Sequence, residues 1–498
     1  MTQPENDDSL ANVAPKLGVD AKFAYGVGQV AEGVKNATFS MFVLFYYNQV
    51  LQLPATLAGL ALFIALLFDA ITDPLAGSIS DNWRSRWGRR HPFMYASAAP
   101  LGVTFFLLFL PPEGMSEFAL FAWMTVFVVL TRASMTLYHV PHLALGAELS
   151  EDYTERTTIV SVRYFMNFVG YLVVYYLGFA VFFADTPEFP RGQFNIDAYA
   201  PFAAVLSVVM FATIIWSAWG THSRIPYLPA TEGDEKLLSF SEMFVRTFQE
   251  VWEALQNPSF AWAFGGTMVI FIMVGIDSAL NLYMYEFFWG LSSNEKLVLT
   301  LLYPLGIMTG TALVPILHRY VDKRHGITIG ITGWSACQII PIFLRFFGLL
   351  PENGTTELAM ILTIIKFIQG MAAAQSLVSF HSMIADIADQ HELKTGKRQE
   401  GIFFAAGSFA SKSTSGVGSF LAGIGLDLID WPTGENIQTA ADVPVVTLAN
   451  LGLMYGPIVS GFAVVSVLLV IQCKMTRAEH TSVVAELAQR RAAQTQAS

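Results

Sequence analysis

Twelve stretches of this chain are apolar over a length that crosses a bilayer. Hydrocarbon leaves such a segment one main option, because every backbone N–H and C=O has to be satisfied inside the segment, as an α-helix does. The stretches lie near residues 23–50, 55–80, 92–110, 118–147, 158–184 and 199–219, then near 259–289, 294–317, 327–350, 357–386, 401–429 and 451–473. Between the two sets runs a polar stretch, 221–258, with an amphipathic run around 240–255. Of 498 residues 54% are hydrophobic and 13% charged, whereas a soluble chain carries about 25% charged residues. The expected fold class is an all-α membrane protein with twelve transmembrane helices in two six-helix halves, divided into 1–220 (tail and first half), 221–258 (linker) and 259–498 (second half and tail).

Basic residues sort the connectors. Arg84, Arg86, Arg89 and Arg90, then Arg156, then Arg224, Lys236 and Arg246, then Arg319, Lys323 and Arg324, then Lys394, Lys397 and Arg398 fall on one side, and the opposite connectors hold only Arg191 and Lys296. By the positive-inside rule the basic side is cytoplasmic, and both termini are expected there. The polar, acidic start has no short apolar core, so no cleaved signal is expected. A net charge of −11 offers no basic surface for nucleic acid. Cys337 and Cys473 sit in apolar runs and read as packing residues. No G-x-x-x-x-G-K-[ST] loop is present and the nine histidines show no H-x-x-x-H spacing, so neither a nucleotide-driven pump, an enzyme nor a cofactor is expected.

The run Phe68-Asp69-Ala70-Ile71-Thr72-Asp73-Pro74 narrows the function. Asp69 and Asp73 are four residues apart inside an apolar segment, so they share one helix face. Each ionised carboxylate at membrane depth costs roughly 2.5–3.5 kcal/mol on insertion scales. Either a neighbouring Lys or Arg neutralises them as a structural pair, or they form an ion or proton site on a watery cavity, and the second is expected. In the fourth segment Arg132, Thr136 and His139 also share a face. At about 1.5 Å per residue, Glu32, Asp69 and Lys412 each lie roughly 15–20 Å in from a segment end, at the depth where carriers bind substrate.

The connectors repeat. Asp81-Asn82-Trp83-Arg84-Ser85-Arg86-Trp87-Gly88-Arg89-Arg90 follows the second segment, and Arg319-Tyr320-Val321-Asp322-Lys323-Arg324-His325-Gly326 follows the eighth. Two halves of six with such paired loops are the plan of a major facilitator, and the loops read as a latch between halves. Arg86, Arg89, Asp386, Glu392 and Arg398 are the expected gate residues.

These residues resemble the glycoside-pentoside-hexuronide:cation symporters, the melibiose permease-like branch of the major facilitator superfamily. The resemblance runs from Tyr25-Gly26-Val27-Gly28 to Lys412. It is most specific at Asp69 to Pro74 with the trailing Ser85-Arg86-Trp87-Gly88-Arg89, and at Ala385-Asp386-Ile387-Ala388-Asp389 followed by Glu392, Gly396, Arg398 and Glu400. It implies symport of a sugar, glycoside or uronide with H+ or Na+. It also implies that Asp69, Asp73 and Thr136 are cation ligands, with Thr72 drawn in, and that Arg163 contacts sugar.

Some positions depart from that pattern. Gly33 stands where the melibiose permease has a sugar-contacting aspartate, with Glu32 before it; His139 replaces an aspartate serving cation and sugar; Leu143 replaces a stacking tryptophan. Tyr138-His139-Val140-Pro141-His142 is similar to the lysophosphatidylcholine carriers of the superfamily, which look as though they place an acid where Arg132 stands, and this keeps an amphipathic lipid open as the alternative substrate. The expected coupling set is Asp69, Asp73, Thr72, Thr136 and His139, with Na+ as the only metal, at Asp69 and Asp73. The expected substrate set is Glu32, Arg132, Arg163 and Lys412, with Lys412 as counter-ion or switch between the halves. A histidine in place of a third acid favours the proton. Asp277 and Lys366 read as gating or packing pairs. The expected partners are a small-molecule substrate and the lipid bilayer, and the expected state is a monomer.

Overall fold

The computed structural model describes residues 17–150, 152–228, 240–395, 400–434, 437 and 439–497. These are helical with no strand among them. The first half is α1 (residues 19–50), α2 (Ala55–Asn82), α3 (His91–Leu108), α4 (Glu117–Glu148), α5 (residues 153–182) and α6 (Tyr199–Thr221). A linker helix, α7 (Phe240–Leu255), leads to α8 (Pro258–Phe288), α9 (Ser293–Leu317), α10 (Lys323–Phe346), α11 (Thr356–Thr395), α12 (Glu400–Leu428), α13 (Val445–Val470) and a tail helix, α14 (Arg477–Ala497). Among the described residues, ten helices are long and apolar enough to cross a membrane. Two more complete the twelve: α1, broken into short α and π pieces, and α12, diluted by serines, glycines and Lys412. Helix α11 runs to Thr395, past the expected end at 386, so Asp386, Asp389 and Glu392 are helical rather than loop residues.

Local chemistry sets the boundaries. Asn257 caps α8 by accepting from the Ser259 and Phe260 N–H groups, with Pro258 at the first helical position where no N–H is needed. Ser292 and Glu295 form a reciprocal capping box at the start of α9. Within each half, glycines bring helix backbones into contact. A Cβ on Gly33 of α1 would stand 2.1 Å from the Asn167 carbonyl oxygen of α5, and one on Gly170 would stand 2.4 Å from that of Val30. Gly275 of α8 and Gly418 of α12 repeat that contact, at 2.3 Å from Ser415 and from Ile272 carbonyl oxygens. The two halves therefore repeat at the level of packing where their letters have diverged.

The halves meet along α2 against α12 and α5 against α9. On the side opposite the basic connectors this seam is sealed. The Asp427 carboxylate of α12 accepts from the Ala55 and Thr56 N–H groups at 3.1 and 2.8 Å, placing an anion on the N-terminus of α2. Tyr283 donates to Asn48 at 2.6 Å, and Trp431 donates to Gln49 at 2.9 Å. Arg191 reaches across to Glu286 at 3.0 Å and to the Leu291 carbonyl at 2.6 Å. Lys296 donates to the same Glu286 at 2.5 Å and to Gln193 at 2.9 Å, with its side chain and that of Glu286 fully buried. Arg191 and Lys296 thus converge on one carboxylate, while Arg345 on the same side lies over the Trp289 ring.

On the basic side the described charge pairs stay within a half. Arg89 and Arg90 bind Glu148 at 2.9 and 2.7 Å, and Arg90 also pairs with Asp81. Lys323 binds Asp386 at 2.6 Å, and His480 of α14 reaches Asp389 at 3.2 Å. Partial burial, with Lys323 and Arg477 nearby, holds the His318 imidazole at the end of α9 below its usual range, while Asp386 acts against this.

Candidate functional site

Midway along α2, Asp69 and Asp73 turn toward α4 on one face, as their four-residue spacing allows. Asp69 is 4% exposed. It pairs with Arg132 through the guanidinium Nε at 2.8 Å and a terminal nitrogen at 2.7 Å, both on Oδ2. Its other oxygen, Oδ1, is buried and has no hydrogen-bond partner. Asp73 accepts from the Thr136 hydroxyl at 2.8 Å and forms an ion pair with Lys412 of α12. That pair crosses from one half to the other.

A second polar group lines α1. Glu32 Oε1 accepts from Lys35 and Asn36, each at 3.0 Å. The His139 Nδ1 lies 3.8 Å from Glu32 Oε2 and 3.3 Å from the Gln29 amide nitrogen. Arg163 of α5 stands beside the Tyr25 hydroxyl, with its guanidinium 5.0 Å from the Tyr164 ring centre. It makes no ion pair among the described residues. Three carboxylates, Glu32, Asp69 and Asp73, are therefore each matched by a cation, Lys35, Arg132 and Lys412. Arg163 is left over.

Several expectations change. Arg132, placed in the substrate set, is buried and committed to Asp69, because an arginine at this depth needs a fixed anion. His139, placed in the coupling set, faces Glu32 and Gln29 rather than Asp73, since α4 carries it one turn beyond Thr136. Thr72 bonds weakly to the Asp69 carbonyl of its own helix, at 3.5 Å. Lys412 meets Asp73, whereas Asp69 is taken by Arg132. Of the expected latch, Arg89 and Asp386 are each paired within their own half, and Arg86 lies 5.6 Å over the Trp87 ring. Glu392 is partly buried near the end of α11, and Arg398 lies outside the described residues. Gly33 has no room for the side chain that the related sugar carriers place there.

Asp277 and Lys366 find each other at 3.8 Å inside the second half. Tyr455 of α13 joins them, donating to Asp277 at 2.6 Å while lying 3.2 Å from the Lys366 ammonium. Sequence reading missed the sealed side altogether. Its signal was Glu286 within an apolar run, close to Lys296, on the side poor in basic residues.

The chain matches the family described as MFS/sugar transport protein over residues 24–477. It belongs to this family. The relatives agree in kind: an inner membrane symporter, YicJ, of Escherichia coli (strain K12) is 26% identical over 86% of this chain and 87% of its own length. The isoprimeverose transporter of Lactiplantibacillus pentosus is 22% identical over 81% of this chain and 79% of its own. The crystal structure of a D-xylose-proton symporter superposes with a TM-score of 0.60 at 14% identity, over 91% of this chain and 96% of that one, which establishes the likeness of fold. The glycoside-pentoside-hexuronide resemblance and the twelve-helix major facilitator fold both stand.

Proposed function

We propose that this membrane protein is a secondary transporter that carries a sugar, glycoside or uronide together with a cation by alternating access. One observation carries the reading: two carboxylates at membrane depth, Asp69 and Asp73, held by cations from two places, Arg132 within the half and Lys412 across the seam, with one buried Asp69 oxygen unpartnered. A charge pair that spans the halves changes energy when they rock, so a cation that competes with Lys412 for Asp73 biases the equilibrium between states. Thr136 supplies a further oxygen there. Arg163 and Glu32, with His139 beside them, are the substrate face. A guanidinium free of acidic partners offers a fork of donors to hydroxyls or a carboxylate.

The coupling ion in this reading is the proton. Hard cations take several oxygen ligands, and here Lys412 and Arg132 already occupy the carboxylates. A proton needs only one oxygen. The membrane is the inner membrane, both termini are cytoplasmic, the basic side faces the cytoplasm and the working unit is a monomer. The single bonds inside each half on that side suit a state open to the cytoplasm. The test is uptake by proteoliposomes of labelled xylosides, glucosides, galactosides and glucuronides under an imposed pH gradient without sodium, against a sodium gradient without a pH gradient. Uptake driven by the pH gradient alone is expected. Uptake that needs sodium and ignores the pH gradient refutes the proton, and failure of every glycoside under both gradients refutes the sugar.

A further inference from the structure

The Glu32 carboxylate divides its work between its two oxygens. Oε1 accepts from Lys35 and Asn36, each at 3.0 Å, which fixes the group on α1. Oε2 is buried without a hydrogen-bond partner and lies 3.8 Å from His139 Nδ1 of α4. The same Nδ1 lies 3.3 Å from the Gln29 amide nitrogen. Gln29 is 3% exposed, and its amide oxygen, Oε1, is also buried without a partner. An amide N–H can only donate, so Nδ1 accepts here and the ring carries its hydrogen on Nε2. Two bare acceptors, Glu32 Oε2 and Gln29 Oε1, thus stand beside a ring nitrogen that has no hydrogen to give. Buried acceptors left unmade are costly, and one proton on Nδ1 supplies the donor that both lack.

The charged groups within reach of the ring are Glu32 and Lys35 of α1, Asp69 of α2 and Arg163 of α5. On its own helix His142, one turn on, donates to the Tyr25 carbonyl at 2.8 Å. Helix α3, which also packs on α4, has no acid, lysine or arginine, and its His91 and Tyr95 turn to Thr221 and His222 at 3.0 and 3.3 Å. Lys35 and Asp69 are already matched, so the anion open to a proton on this ring is Oε2 of Glu32. The His139 side chain is 25% exposed, which gives a proton access. We infer that Gln29, Glu32 and His139 form a proton site separate from Asp73, whose partners Thr136 and Lys412 it does not share. The proton adds to the Nδ1 lone pair, the hydrogen bond from the Gln29 N–H is given up, and the ring gains one positive charge. Nδ1 then donates to Glu32 Oε2 as a charge-assisted bond, or to Gln29 Oε1 once that amide turns over. An imidazole in place of an aspartate, opposite an acid at Glu32, gives this chain a site that its resemblance to the sugar carriers does not supply. The link of this site to transport rests on the reading of Glu32 as part of the substrate face, and goes beyond it in giving that face a proton of its own.

The test uses the full chain in lipid nanodiscs with isotope-labelled histidine, and the proton itself is the probe. The His139 ring is the nuclear magnetic resonance signal lost in His139→Gln. At about pH 8 it should be neutral with its hydrogen on Nε2, and by about pH 5 it should carry both hydrogens. At about pH 6 the ratio of doubly to singly protonated ring should fall about tenfold in Glu32→Gln. If that variant does not fold, Gln29→Leu takes its place, and the neutral ring should then show both tautomers at about pH 8. A ring still neutral at about pH 5, a ratio unmoved by Glu32→Gln, or a single unchanged tautomer in Gln29→Leu overturns the site and leaves sugar transport standing. A ratio that moves as far with Asp73→Asn as with Glu32→Gln makes this one site with Asp73 and overturns it too. Failure of every labelled glycoside in proteoliposomes, with the ring titrating as expected, overturns the sugar reading and leaves the proton site.

Discussion

At the scale of single residues the arrangement turns on which cation holds which carboxylate. The sequence placed Asp69 and Asp73 on one face but could not say that Arg132 would take the first and Lys412 the second, because partner choice depends on how α4 and α12 are rotated against α2. The pairing makes a direct prediction. In purified protein Lys412→Ala and Asp73→Asn should be strongly non-additive in melting temperature, with a coupling energy of about 1 kcal/mol or more, whereas Lys412→Ala and Asp69→Asn should add within about 0.5 kcal/mol. Additivity with Asp73 would remove the pair. Asp69→Asn should cost about 3–5 kcal/mol of stability, the penalty of leaving Arg132 buried and unmatched. The double replacement Asp69→Asn with Arg132→Met should recover much of that loss. In the folded fraction of Asp69→Asn, exchange of substrate across the membrane should outlast uphill accumulation, since exchange does not need the ion gradient. Equal loss of both would show that Asp69 supports the fold and not coupling.

At the scale of elements, the apolar runs announced nearly every helix, and errors fell where polarity and helix coexist. The end of α11 reads as a loop because it is charged, yet docking by α14 and Lys323 keeps it helical to Thr395. Gly33 read as a missing sugar ligand, and α5 explains it: backbone contact leaves no space for a Cβ. Gly33→Ala should accordingly destabilise by about 1–3 kcal/mol, measured by thermal unfolding, while Gly265→Ala, whose nearest neighbour is a leucine methyl group at 3.7 Å, should be mild. The sealed side was illegible for a different reason, since Arg191 is far in sequence from Glu286 and Lys296 and meets them only once the halves dock. Glu286 and Lys296 both belong to the second half, so they stay together when the seam opens, while the Arg191 contacts and the Lys296–Gln193 bond break. Arg191→Gln should therefore loosen the seal without a large loss of stability. In a cysteine-free background a Phe45→Cys reporter, at a position 1% exposed against Phe194 and Tyr283, should react with an impermeant maleimide roughly tenfold faster if the lost contact is worth about 1.4 kcal/mol. Unchanged reactivity would mean that Asp427, Trp431 and Tyr283 hold the seam unaided.

At the scale of the molecule, two repeated halves, a seam closed on one side and, among the described residues, charge pairs within each half on the other describe one extreme of a rocking pair. The repeat was visible in the count of apolar segments and in the paired basic loops, but which side was shut was not, because the same sequence has to serve both states. If the halves rock as bodies, opening the sealed side and closing the basic side are one event. Spin labels at Trp83 and Tyr320, exposed positions following α2 and α9 on the basic side, report the second motion. In the protein with Arg191 intact their distance distribution should be long. Arg191→Gln should add a shorter population, and that fraction should rise in proportion to the labelling of Phe45→Cys measured on the same preparation. Labelling that increases while the distances stay fixed would mean that the sealed side can open with the basic side still parted. The two carboxylates would then face a continuous path rather than an alternating one, and the ion held at Asp73 against Lys412 could not be coupled to anything carried beside it.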